Sequence, residues 1–146
     1  MDLGKHHDLA LLILRLLTGT FLVHGVWDNV TSPVRMQEFV AFMTHHGFVP
    51  AALWAPVSVY AQLVIGLALV LGVATRWAAV LCAGHFVVAY AMVHADDAFR
   101  AAFPALALVA IGLVLATGGP GAASLDGALR RRRGAPLGPR PSLDSE

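Results

Sequence analysis

The chain has 146 residues, 58% of them hydrophobic and only 13% charged, with a formal net charge of +1 and a mean hydropathy of +0.70. An ordinary soluble domain carries about 25% charged residues, and so short a chain has too much surface to bury this many apolar groups in one core. The figures exclude a soluble helical protein and place the chain in a lipid bilayer, its first expected partner; no nucleic-acid partner is expected.

Four apolar stretches, near 9–30, 52–72, 77–93 and 101–117, each approach the roughly 20 residues that cross about 30 Å of hydrocarbon. The expected fold is all-α: an integral membrane four-helix bundle with a short amphipathic helix at the interface between spans 1 and 2. Residues 1–8 read as a short polar tail. The first span is expected to be retained rather than cleaved, because it is long and no small-residue cleavage site follows it. Ser32-Pro33 reads as an N-cap followed by proline at the first helical position. From there a helix over 33–46 carries Met36, Phe39, Val40 and Met43 at helical spacing and is too polar to span, which suits an interfacial helix. Gly47 stops it.

Spans 2 and 3 are joined by a very short turn at 72–76, which makes them an antiparallel hairpin. Cys82 has no second cysteine to pair with and reads as a small buried residue. Asp96 or Asp97 is expected to cap span 4. Pro104 falls in its first turns, and glycines 118, 119 and 121 with Pro120 end it. The membrane domain is thus expected over 1–128, and 129–146 is read as a basic, disordered tail. Both termini and the 73–76 turn share one side, with Lys5, Arg76, the arginines at 130–133 and Arg140; the other side has Arg35 and Arg100. The positive-inside rule makes the first side cytoplasmic.

Lipid accounts for the apolar residues, so the polar ones left inside the spans carry the functional question. His24 and Asp28 are four apart and share a helix face. A carboxylate beside an imidazole orients the ring and raises its proton affinity. These two are expected to face the bundle interior in the outer third of span 1, with Trp27 anchoring the interface beside them and His94 ending span 3 at the same level. His24, Trp27, Asp28 and His94 are therefore the candidate ligand-binding residues. His45 and His46 end the interfacial helix nearby; the plainer alternative is that all of these are interfacial residues. His85 is about 180° from His94 on an ideal helix, which places it on another face, in a structural hydrogen bond to a neighbouring helix. Gln62 is expected to bond across helices. Arg15 lies roughly 9 Å into span 1; it either snorkels or meets a C-terminal partner, with Asp126 the first candidate. No metal-ligand motif stands out, and no residue reads as catalytic.

The run Arg15-Leu16-Leu17-Thr18-Gly19-Thr20-Phe21-Leu22-Val23-His24-Gly25 resembles the opening of the DoxX family of small bacterial membrane proteins. Gln62-Leu63-Val64-Ile65-Gly66 followed by Gly72-Val73-Ala74-Thr75-Arg76 is similar to its second span and turn, and Gly119-Pro120-Gly121-Ala122-Ala123-Ser124-Leu125-Asp126 to its C-terminal signature. The resemblance covers about 9–128. It implies a four-helix bundle in a bacterial inner membrane, and a link to complexes that handle thiols, quinones or oxidative stress. Arg15, His24, Gly25, Arg76 and Asp126 match the pattern. Asp28 and Gln62 depart from it, standing where the family commonly has a lysine and a glutamate.

Three functions follow. The first is an accessory subunit of a membrane redox complex that binds a quinone, the candidate cofactor, and works with a redox partner protein, since the chain has no flavin or dinucleotide fingerprint and no cysteine pair. The second is a non-catalytic membrane scaffold with a basic tail for partners or anionic lipid. The third is a metal or haem site built on His24 and His94. Enzymatic activity and oligomeric state stay open at this level.

Overall fold

A computed structural model of the chain describes residues 3–121 and 123–134. Its elements run α1 (Leu3–Thr31), α2 (Pro33–His45), α3 (Ala51–Leu71), α4 (Thr75–Ala89), a five-residue π turn (Tyr90–His94), α5 (Phe99–Gly118) and α6 (Leu125–Gly134). The described residues are all-α. Four helical stretches, His6–Thr31, Ala51–Leu71, Thr75–His94 and Phe99–Gly118, are long and apolar enough to cross a membrane.

Helix boundaries follow local chemistry. Ser32 is extended and its hydroxyl accepts from the Arg35 amide at 3.4 Å, with Pro33 opening α2. Gly47 follows α2 at φ +80°, and Gly72 closes α3 in the left-handed region at φ +70°. Three local expectations differ. α1 begins at Leu3, inside the stretch read as a polar tail. α5 starts behind Ala98, whose side chain has no acceptor to cap it, and the Asp97 carboxylate pairs with His94 Nδ1 at 2.8 Å. α6 carries helix through Gly134, so the basic segment is helical at least that far; the rest of the tail read as disordered, 135–146, lies outside the described residues.

The bundle is two tight helix pairs. α1 packs along α3, and α4 along α5, while α3 meets α4 less extensively. Both pairs use small residues to bring backbones together, as membrane helices do in the absence of a hydrophobic drive between them. A Cβ on Gly19 would fall 2.7 Å from the Gly66 carbonyl oxygen, and one on Gly112 would fall 2.9 Å from that of Ala79. Leu11, Leu22, Leu69, Ala79, Cys82 and Leu115 form the buried core between the pairs. Leu9, Leu17, Phe21, Val64, Leu81 and Leu113 turn outward and are exposed, the distribution a lipid solvent demands.

At the end where the 72–75 turn and α6 lie, polar bonds tie the pairs together. Arg15 is 2% exposed. Its Nε donates to the Leu69 carbonyl at 2.8 Å, its Nη1 to that of Pro120 and its Nη2 to that of Ala123 at 3.0 Å. The C-terminal partner expected for Arg15 is therefore main chain. Asp126 attracts Arg15 through its charge, but its carboxylate turns to α4, accepting from the Ala74 amide at 3.0 Å, the Thr75 amide at 2.9 Å and the Thr75 hydroxyl at 3.2 Å. The division follows from geometry. Helix ends and turns expose carbonyls that the planar guanidinium fork can satisfy, and α4 begins on a left-handed Ala74 with no cap of its own.

Candidate ligand site between α3 and α4

Away from that tied end the helices leave open space. A cleft of about 790 Å3 opens between α3 and α4, within the size range of small-molecule sites. α2 closes one end of it, because its apolar stripe turns inward: Phe39, Phe42 and Met43 line the cleft, together with Phe48 just beyond. Trp54, Val57 and Ile65 come from α3; Leu81, Phe86 and Val88 come from α4. Tyr60, Val64, Leu81 and Val88 are each more than half exposed, so the cleft is open along its flank.

Besides Ser58 and Tyr60, three polar side chains, Gln62, His85 and His94, line this apolar slot. Gln62 is nine residues before Leu71 and His85 ten residues after Thr75, so each is about 14–15 Å from the hairpin turn by helical rise. The Gln62 amide donates to the Leu22 carbonyl at 3.4 Å, the cross-helix bond expected of it. That leaves its own carbonyl oxygen as an acceptor. His85 does not make the structural hydrogen bond expected of it: among the described residues it has only a ring contact, edge-on to Phe86 at 5.1 Å between centroids. His94 lies at the far mouth, bonded to Asp97.

His85 and His94 share one cleft, where ideal helical geometry had set them on opposite faces. The cleft takes in a wide arc of α4, from Leu81 to Ala89, and the π turn at Tyr90–His94 contributes part of the rotation. Its wider i→i+5 winding turns each residue less far around the axis, and such turns recur at functional sites. Gly84 also lines the cleft, and a Cβ there would meet nothing within 4 Å.

The pocket expected around His24 and Asp28 is not assembled. α1 buries Leu11, Arg15, Thr18, Gly19, Leu22 and Val26. His24 is about 180° from Arg15 at 100° per residue, and it, Asp28 and Trp27 are all exposed. α1 contributes no residue to the cleft, so His24 is not brought to His94 there. Neither are His45 and His46: His46 Nδ1 contacts the Phe42 carbonyl at 2.8 Å and its ring meets that of His45 at 5.3 Å. Among the described residues no three or more His, Cys, Asp or Glu side chains converge as a metal site. Cys82 is buried as expected. What sequence reasoning missed is the aromatic lining of α2 and the placing of Gln62 and His85 at one depth in the same cleft. The second was readable from their equal spacing about the hairpin turn.

No curated protein and no solved structure matches the chain. The DoxX family model matches residues 10–95, from α1 through the π turn. That is more than half of the 146 residues, and the chain belongs to the DoxX family.

Proposed function

We propose that this DoxX-family membrane protein binds a quinone in the α3–α4 cleft and serves as an accessory subunit to a membrane redox partner. One observation carries the reading: an apolar slot, open along its flank, holds an amide and an imidazole at one depth in its interior. A quinone needs a flat apolar space for its ring and tail and polar groups for its two carbonyl oxygens. His85 donates to one of these in its neutral form, and Gln62 and Ser58 supply further polar contacts. An amide and a neutral imidazole place no charge at this depth, which avoids the cost of an ion inside the bilayer. Of the earlier candidates only His94 belongs to this site, at its mouth beside Asp97.

In the same reading α2 lies in the outer interface, and both termini are cytoplasmic in a bacterial inner membrane. The arginine asymmetry supports this. Proteolysis at arginines 130–133 from the cytoplasmic face of membrane vesicles, and not from the other face, is the expected result; the reverse pattern overturns the orientation.

Trp54 lines the cleft, whereas Trp27 and Trp77 do not, so its fluorescence reports on occupancy. With Trp27 and Trp77 replaced by Phe, a short-chain ubiquinone is expected to quench Trp54 saturably. His85→Leu and Gln62→Leu should each weaken this at least fivefold, Gly84→Leu should abolish it, and His24→Ala should leave it unchanged. Quenching that does not saturate, or that is the same in Gly84→Leu, would overturn the quinone reading in favour of a non-catalytic scaffold.

A further inference from the structure

A second cavity, of about 390 Å3, lies at the tied end of the bundle, among Thr75, Arg76, Trp77, Pro120, Asp126 and Leu129. It is separate from the cleft, and its chemistry is different. The Asp126 carboxylate is committed to the first amides of α4 and to the Thr75 hydroxyl. Arg76, the next residue, is exposed. Its guanidinium passes close over Gly119, where an added Cβ would be 3.3 Å from Nε. Trp77 beside it is 74% exposed, and α6 presents Leu125 and Leu129, 47% and 51% exposed. Arginines 130–133 fill the last turns of α6.

An exposed indole, an exposed apolar pair and a run of cations on a short helix are the features that seat a segment among lipid headgroups. Charge separates the two ends of the molecule. At the far end Arg35 is bonded to Glu38 at 2.9 Å, and Asp28, Asp96 and Asp97 outnumber Arg100 there. An anion is drawn to the Arg76 end.

We propose that this cavity is a binding site for an anionic phospholipid. Arg76 meets the phosphate, Trp77 and Leu129 lie against the glycerol and upper acyl chain, and α6 rests along the membrane surface. Near a membrane surface one Lys or Arg contributes about 1 kcal/mol to anionic-lipid binding, a factor of about five.

The test titrates phosphatidylglycerol and phosphatidylcholine with matched acyl chains against the full chain in a neutral detergent, with bound lipid read by native mass spectrometry. Phosphatidylglycerol should be retained at least fivefold better than phosphatidylcholine. Arg76→Gln should remove about fivefold of that preference, Arg76→Lys should keep most of it, and Trp77→Ala should weaken both lipids alike. Equal retention of the two lipids, or an unchanged preference in Arg76→Gln, overturns the proposal. So does displacement of the bound lipid by millimolar inorganic phosphate, which would mark a site for a free anion. If Arg76→Gln fails to fold, the pair Arg76→Lys and Trp77→Ala decides by the same readout: a preference kept in Arg76→Lys with both lipids weakened alike in Trp77→Ala supports the site, and a preference lost in Arg76→Lys or retention unchanged in Trp77→Ala refutes it.

Discussion

Arg15 shows how a charged residue survives inside a bundle. Its donors reach carbonyls from α3 and from the segment after α5, so one side chain joins three parts of the chain. Arg15→Met keeps the bulk and removes the donors, leaving buried carbonyls unsatisfied. The expected cost is on the order of 3 kcal/mol, read as a lower melting temperature in detergent. Arg15→Lys keeps the charge but has no planar fork and should recover only part of that loss; full recovery would mean that charge alone matters there. Asp126 works differently, as a cap supplied from a distant segment. Asp126→Ala should cost about 1–2 kcal/mol and loosen the start of α4, visible as faster amide exchange at Ala74 and Thr75. The burial of Arg15 also bears on His24. The two are half a turn apart on one helix, so once Arg15 faced inward His24 could not.

At the scale of the elements, small residues decide how near the helices stand, and the consequences are opposite at different glycines. Gly66 sits on the α1–α3 contact, where a Cβ would be 2.9 Å from the Gly19 carbonyl oxygen. Gly66→Val should therefore force the helices apart and cost about 3 kcal/mol, read by thermal unfolding. Gly84 faces the open cleft. Gly84→Leu should leave stability unchanged or slightly raised, since leucine is the better helix former, while filling the space a ligand would use. A large loss of stability in Gly84→Leu would show that the cleft closes in the membrane. α2 was legible as a helix from Ser32, Pro33 and Gly47. Its role in closing the cleft was not, because an apolar stripe on a short helix specifies that one face is buried, not what covers it.

The whole molecule is asymmetric along its length. One end is cross-tied by Arg15 and Asp126. The other is split by the cleft and contains the π turn, where the regular helical bonding is interrupted. Local stability should follow that gradient. Hydrogen exchange in lipid nanodiscs should be faster over 57–65 and 81–94 than over 66–79, and a ligand bound in the cleft should narrow the gap. Uniform protection along α3 and α4 would refute the gradient.

The sequence by itself determined the membrane setting, the number of spans and the hairpin, because these depend on lengths, composition and local turn chemistry, and its motifs carried the resemblance to the family. It did not determine which face of each span looks inward. Spans that are apolar on every side carry little rotational information, since lipid and core are alike to a leucine. Polar residues then invite the assumption that they face inward, which held for Arg15 and failed for His24 and Asp28. Only the tertiary structure decided that the carbonyls of distant turns, and not Asp126, accept the bonds of Arg15. It alone brought Gln62, His85 and His94 into one cleft, because that depends on how α2, α3 and α4 stand against one another, with a π turn supplying part of the rotation of His94.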